Sequence, residues 1–397
     1  MVDQRAGQRA DQVAKVEVFS ITIPRDTPYL GALRPGESVN EKGYIVRLGN
    51  RTVYPTADRT VVVRIETRDG AVGWGETYGI VAPGAVIALI SDLLGPFVVG
   101  RDPHDVVVIH EDLYDLMRVR GYTGGFYLDA LAAIDIALWD LSGQLAGLPI
   151  VKMLGGQRHD RLPAYVSGLP KRTLAERADF AAEWQGRGFD SFKFAAPVAD
   201  DGVVAEMESL RSRLGPKARI ACDMHWVHTA EEAVALIRAM EPHGLWFAEA
   251  PVKPEDVDGL AHVARSVSTT VAAGEEWRTV FDLVPRVARR ACGIIQPEMG
   301  HTGITEFMRI GRYAEAHHLK VIPHATIGIG LFMAASLQAS AALTVVECHE
   351  YQHSVFEPNR RLIESDMDCK AGLYSLPTGA GLGVKPSEEA LALLQKH

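Results

Sequence analysis

The feature that most constrains how this chain can fold is a series of short apolar runs, each finishing on a titratable residue. SFK ends at Lys193, IACD at Asp223, LWFAE at Glu249, VAAGE at Glu275, GIIQPE at Glu298, KVIPH at His324 and TVVE at Glu347. Successive ends lie 23 to 30 residues apart, the length of a strand, a helix and two loops. With YVSG around Tyr165 as the first run, the count of βα units is eight. Eight such units across roughly 200 residues predict a (β/α)8 barrel, whose active site sits at the C-terminal ends of its strands. Any one of these acids has an ordinary reading as a solvated group or a helix cap. Seven titratable strand ends are hard to explain by stability, because carboxylates crowded at one barrel mouth repel unless something neutralises them.

The helices between the runs carry their own signals. In TAEEAVALIRAM, Thr229 and Glu232 form a capping box. Ala233, Leu236, Ile237 and Met240 mark one apolar face, and Pro242 and Gly244 end the helix. Upstream the pattern differs. Residues 1–12 read as a loose tail. VEVFSITI and TVVVRIETRDGAVGWGE alternate like antiparallel strands, the second pair turning at Asp69-Gly70. LDALAAIDIALWDLSGQLAG then reads as a helix stopped by Gly147 and Pro149. The first 150 residues therefore predict an α+β unit. Between its strands, Pro24 to Asp58 is a long polar loop with Arg25, Arg34, Lys42, Arg47 and Arg51, and loops of that length are commonly functional.

Composition removes several function classes. Hydrophobic residues make up 47% and charged residues 23%, as in ordinary globular proteins. The net charge of −9, without a basic block, argues against nucleic-acid binding. The most apolar long stretch, Leu331 to Val346, is too short and too mixed for a membrane span. The N-terminus has no apolar h-region, so no signal peptide is expected. Cys222, Cys292, Cys348 and Cys369 include no CxxC pair and read as reduced thiols, which points to the cytoplasm.

Asp223, Glu249 and Glu275 close three consecutive strands, whose spacing of about 4.8 Å lets three carboxylates converge on one hard cation. An all-oxygen set suits Mg²⁺ better than Zn²⁺. His225, two residues beyond Asp223, shares its strand face. His324 ends strand seven, opposite strand three, so the two imidazoles can flank a metal-bound substrate. Glu298 on strand six can bond the far nitrogen of His324 and fix its tautomer.

These motifs resemble the enolase superfamily, in particular its mandelate racemase subgroup. The likeness runs from about Val13 to about Leu391. It includes GWGE (Gly73 to Glu76), AIDIALWDLSGQLAGLPIVKMLGG (Ala133 to Gly156), CDMH, WFAEAP, AAGEEW, IIQPE, VIPH and GAGLGV (Gly379 to Val384) in the family's order. The resemblance implies an enolase-like modified barrel at 156–365, an N-terminal α+β capping domain at 13–155, and a C-terminal segment, 366–397, that returns to the cap. It implies one Mg²⁺ on Asp223, Glu249 and Glu275. It makes His324 with Glu298 the dyad that removes the proton α to a substrate carboxylate. Glu347 becomes the eighth-strand acid, with Glu350 as its competitor. Asp223-x-His225 resembles acid-sugar dehydratases of the galactonate type, in which that His expels the β-hydroxyl. Lys193, Arg25 and Tyr165 are the further substrate-binding candidates. Family members commonly form symmetric homo-oligomers.

The chain also departs from the family pattern. Glu298 stands where Asp is usual, Ala195 replaces the second Lys of a Lys-x-Lys pair, and Ala250 replaces the second Glu of Glu-Glu-Pro. Loss of the Lys at 195 counts against racemisation by two opposed bases. His349-Glu350-x-x-His353 spells a zinc-protease motif, but that motif requires a helix, and here it follows a run that reads as a strand. The expected activity is a Mg²⁺-dependent dehydratase that turns an aldonate or aldarate into a 2-keto-3-deoxy acid. Epimerisation or lactone cycloisomerisation by the same enolate chemistry is the first alternative, and a metal-dependent acid-sugar binding protein a second.

Overall fold

A computed structural model describes residues 10–324 and 328–397. Most of the expected tail lies outside the described residues. The part within them is tied down, because Ala10 and Gln12 accept backbone bonds from Asp69 and Arg68.

The N-terminal unit is an antiparallel sheet backed by helices. Its strands are β1 (Val13–Pro24), β4 (Ala57–Thr67) and β5 (Val72–Tyr78), with a small hairpin, β2 (Tyr44–Val46) and β3 (Val53–Pro55), between β1 and β4. β4 lies between β1 and β5. Val61, Val63 and Ile65, at the period of two expected of a strand, bury one face of β4 against Leu131, Ile134 and Leu138. Those three belong to the long helix Gly125–Ala146, which Gly147 stops in the left-handed conformation. The helix lies so close to β5 that a Cβ on Gly75 would sit 2.0 Å from the Ala133 carbonyl oxygen. Two glycines in GWGE thus mark a backbone-to-backbone approach.

The second unit is the barrel. Its strands are β6 (Arg161–Ser167), β7 (Ser191–Ala195), β8 (Arg219–Asp223), β9 (Leu245–Glu249), β10 (Thr270–Ala273), β11 (Ile294–Ile295), β12 (Lys320–Val321) and β13 (His349–Tyr351). They pair in parallel in sequence order from β6 to β12, and β13 returns to β6. A parallel bridge between Val321 and Val346, with backbone bonds from Val321 to Val345 and from Glu347 to Val321, joins the last two strands. The expected capping box forms at Thr229 and Glu232, before the helix Ala230–Met240.

Inside the ring, Tyr165, Ala221, Phe247, Ala272, Ile294, Ile322 and Cys348 form one packed layer. Period-two geometry then places the residues two positions further on, including Ser167, Asp223, Glu249 and Glu350, on the same face one layer nearer the mouth. The interior is a plugged floor carrying a polar site.

The chain closes by returning to the cap. Gln395–Lys396 pairs with β1. The Gly381 carbonyl accepts from Ile150, and Asp140 of the long helix accepts from the amides of Leu382 and Trp74. No described helix is long and apolar enough to cross a membrane.

Candidate active site

A cavity of about 440 Å³ opens at the C-terminal ends of the barrel strands, roofed by the cap. Its floor holds Asp223, Glu275, Lys193, His225, His324 and Glu350. Its walls are largely apolar, with Pro28, Leu30, Val53, Leu169, Phe194 and Trp226 among them.

Asp223, Glu249 and Glu275 each offer a carboxylate oxygen within 4.8 Å of the others. Burial, reinforced by Asp223 and Glu249, pushes the Glu275 carboxyl up to about 8 against the pull of His324. Burial also raises Asp223, but His225 and Lys193 outweigh it and hold that group down at about 2. Three hard oxygen donors that oppose one another's ionisation are a fitting set for Mg²⁺. Glu249 is held from two sides, by Lys193 Nζ at 2.8 and 2.9 Å and by Gln296 Nε2 at 2.7 Å.

His324 and Glu298 come together as the spacing predicts. His324 Nδ1 lies 2.6 Å from Glu298 Oε2. The longer side chain of Glu298 is accommodated, because Tyr78 Oη donates to Oε2 at 3.0 Å and the Gly300 amide to Oε1 at 2.9 Å. The other ring nitrogen of His324, Nε2, faces the cavity, 3.2 Å from Glu275 and 3.7 Å from Glu350. Burial disfavours the imidazolium here, but Glu275, Glu350 and Glu298 together hold its pKa well above the usual histidine range.

His225 reaches the cavity by a route that strand alternation does not describe. β8 ends at Asp223, and His225 and Trp226 both take left-handed backbone conformations, with φ of 53° and 54°. Such angles cost roughly 1–2 kcal/mol each for residues with a Cβ, and strain of this kind gathers at functional sites. The Trp226 amide is caught by the carbonyl of Ala250, itself at φ 46°. His225 Nε2 lies 2.9 Å from Asp223 Oδ2, and its Nδ1 lies 3.1 Å from Asn50 Nδ2.

Two expected site residues stand elsewhere. Glu347 is at the opposite end of the barrel, paired with Arg219 at the start of β8 and Lys320 at the start of β12. The eighth strand runs on to Tyr351. Because Cys348 faces the interior, Glu350 shares that face and Glu347 does not. Glu350 is buried in the site, 3.0 Å from Lys193 Nζ. Tyr165 belongs to the floor layer beneath the cavity, with Lys193 Nζ 5.6 Å above its ring centroid.

The basic loop also behaves differently from the expectation of a cationic cover. Arg47 is buried, pairs with Glu37 at 2.6 Å and donates to the carbonyls of Ala32, Gly31 and Tyr29, so it staples the loop to itself. Arg34 pairs with Asp200. Arg25 does line the cavity, but it is bonded to Asp58 at 2.8 Å and stacked on Tyr29. His349 lies within a strand, buried against Ser336 at 2.8 Å, and His353 opens the next helix, so the zinc-protease geometry does not form.

Sequence reasoning missed several wall residues. Tyr54 and Tyr78 line the cavity from the cap, and Asn50 of the cap meets His225. His301 stacks on Tyr78 and lies 2.7 Å from Asp129, which Arg278 also meets at 3.2 Å. The one available signal for His301 was its position one turn after Glu298, in HTGITE.

Two family models match the chain. One, for the N-terminal domain of mandelate racemase and muconate lactonizing enzyme, covers residues 47–155, and one for the enolase C-terminal domain covers residues 176–390. The D-galactarolactone cycloisomerase of Agrobacterium fabrum is 31% identical over 83% of this chain and 90% of its own. The D-galactonate dehydratase of Xanthomonas euvesicatoria is 30% identical over 87% of this chain and 94% of its own. A solved structure from Sinorhizobium meliloti, provisionally called an isomerase, is 72% identical. It superposes with a TM-score of 0.97 over 98% of this chain and all of that one.

Proposed function

The chain belongs to the mandelate racemase and muconate lactonizing enzyme family of the enolase superfamily, and from that premise we propose that it is a Mg²⁺-dependent acid-sugar dehydratase. Its substrate is an aldonate, from which it makes a 2-keto-3-deoxy acid. The observation that carries this reading is the pair of imidazoles, each held by a carboxylate: His324 by Glu298 and His225 by Asp223. Elimination of water needs one group to take the α-proton and a second to protonate the departing hydroxyl. Ala195, at the end of β7, supplies no base for a two-base racemisation.

When bound on Asp223, Glu249 and Glu275, Mg²⁺ supplies Lewis-acid stabilisation of negative charge at the substrate carboxylate. The neutral form of His324 removes, through Nε2, the proton on the carbon next to that carboxylate, while Glu298 steadies the ring through Nδ1. Lys193, wedged between Glu249 and Glu350, places a fixed positive charge at the same end of the substrate. His225 donates a proton to the β-hydroxyl as the carbon–oxygen bond breaks. Water leaves, and the resulting enol tautomerises to the 2-keto acid.

A monoacid is favoured over a diacid because the Lys and Arg side chains among the described lining residues are each already paired: Arg25 with Asp58, Lys193 with Glu249 and Glu350, and Arg278 with Asp129. The second reading is cycloisomerisation of a sugar lactone, favoured by the apolar walls and by the Agrobacterium relative. It uses the same α-proton abstraction with a ring oxygen as the leaving group. Incubating the enzyme and Mg²⁺ with aldonates, aldarates and their lactones, and measuring 2-keto acid, tests the proposal. Keto product from an open-chain aldonate supports it, and turnover of lactones alone replaces it with the cycloisomerase.

A further inference from the structure

A third imidazole, that of His301, lies in the cavity wall, and the steps above do not use it. It is held from two sides. Its ring stacks on Tyr78, with centroids 4.3 Å apart, and Tyr78 in turn donates to Glu298. Its Nδ1 lies 2.7 Å from Oδ1 of Asp129, a buried residue on the helix Gly125–Ala146 of the cap. Burial opposes the charge on Asp129, but His301 and Arg278 outweigh it and hold the carboxyl below its usual range. An ionised carboxylate only accepts hydrogen bonds, so Nδ1 carries the proton. Burial and then Arg278 keep the His301 pKa below that of a free histidine, against the pull of Asp129. The ring is therefore neutral, with the lone pair on Nε2.

Arg278 meets the same Oδ1 through Nε at 3.2 Å, and its Nη1 donates to the Glu276 carbonyl at 2.6 Å. Both side chains line the cavity. Among the described residues, neither His301 Nε2 nor Arg278 Nη2 has a hydrogen-bond partner. The wall thus offers one acceptor and one donor, side by side on a shared carboxylate. A hydroxyl can give a hydrogen to the first and accept one from the second. A carboxylate has no hydrogen to give Nε2 and would face the charge of Asp129. His301 bonds none of the three metal-binding carboxylates, so it meets the substrate away from its acid end.

We propose that His301, fixed by Asp129 and flanked by Arg278, is a specificity-determining residue that accepts a hydrogen bond from a hydroxyl of the sugar chain beyond the reacting carbons. This rests on the acid-sugar reading above and deepens it, since the far part of the substrate then carries neutral hydroxyls and no second carboxylate.

The test separates contact with the ligand from a merely structural clamp. In His301→Asn the side-chain amide takes the place of Nδ1 and keeps the bond to Asp129, but nothing stands at Nε2. Calorimetry on the Mg²⁺-loaded full chain, in a His324→Asn background, reads binding without turnover. The ligands are an aldonate, the corresponding aldarate, and monodeoxy aldonates that each lack one hydroxyl beyond the third carbon. His301→Asn should bind the aldonate roughly fivefold to tenfold more weakly, with its melting temperature unchanged. One monodeoxy ligand should show the same loss with His301 present and no further loss in His301→Asn. The aldarate should bind more weakly than the aldonate. His301→Gln, whose longer side chain reaches the Nε2 position, should recover part of the affinity. Unchanged aldonate binding in a folded His301→Asn overturns the proposal. So does equal binding of every monodeoxy ligand with His301 present, a result that needs no folded variant. Aldonate binding without keto product from the parent enzyme removes the dehydratase reading alone. An enzyme that binds no aldonate removes both.

Discussion

His324 Nδ1 and Glu298 Oε2 lie 2.6 Å apart just beyond the ends of the neighbouring strands β11 and β12. Glu298 is fully buried, and it is pinned by Tyr78 and the Gly300 amide. His324→Asn should therefore abolish α-proton exchange, with a loss of about 10²- to 10⁴-fold. Glu298→Gln keeps the shape but not the charge, and should lower the exchange rate by roughly 10- to 100-fold. Deuterium uptake into recovered substrate measures both. A Glu298→Gln enzyme with parental exchange would show that His324 needs no carboxylate.

Removing a metal ligand should be felt in binding before catalysis. Calorimetric titration with MgCl₂ should give one site per chain, with affinity falling at least about tenfold in Glu249→Gln. Saturating Mg²⁺ should also raise the melting temperature of the parent, since a ligand at 100 times its Kd stabilises by about 2.7 kcal/mol. An equal rise in Glu249→Gln would place the ion elsewhere.

The two acids of the eighth strand should separate cleanly. Glu350→Gln removes a buried partner of Lys193 and should depress turnover by about 10-fold or more. Glu347→Gln breaks contacts to Arg219 and Lys320 at the partly exposed far end of the barrel. It should leave kcat unchanged and cost less than about 1 kcal/mol in urea unfolding. Steady-state kinetics of the pair decide it.

A buried histidine away from the site makes stability depend on alkaline pH. His110 of the cap lies 3.3 Å from Asp135 on the long helix and 3.6 Å from Glu306 on a barrel helix. Arg309 and the Val280 amide also contact Glu306, and the amide and hydroxyl of Thr305 bind Asp135. Burial lowers the His110 pKa, but the two carboxylates outweigh it and raise the value to about 9. The folded protein thus holds a proton that the unfolded chain releases near 6.5. This stabilisation, on the order of 1–3 kcal/mol, is complete below pH 6.5 and is lost as pH rises through 9. Urea unfolding from pH 6 to 10 should show the decline, and His110→Gln should flatten it.

Much of the barrel is legible in the chain because strand parity and titratable ends coincide. Asp223 and Glu249 close their strands and point inward, two residues past Ala221 and Phe247 of the floor. The eighth strand defeats that logic, since TVVECHEY carries acids at 347 and 350 on opposite faces. Nothing in the run marks where pairing begins. Only the packing of Cys348 against the floor settles the parity. Tyr165 is misjudged for a related reason, because a tyrosine early in a strand falls one layer too deep. Asn50 is beyond any local reading, being brought to His225 from 175 positions away. The basic loop misleads differently, because Arg25, Arg34 and Arg47 are spent on their own loop and on neighbouring carboxylates.

Glu76, the last residue of GWGE, lies in β5 of the cap, yet its carboxylate accepts the amides of Ile329, Gly330, Leu331 and Phe332. These amides open the helix Leu331–Ala341 that follows the His324 strand. The two units are therefore welded at a point where neither is separately complete. Such a seam shapes how new specificities can arise in this scaffold. A cap without a glutamate at position 76 would leave the start of that barrel helix without its anchor. Rewriting the short hairpin around Asn50 would leave that anchor intact, so the wall of the cavity can change there without disturbing the seam.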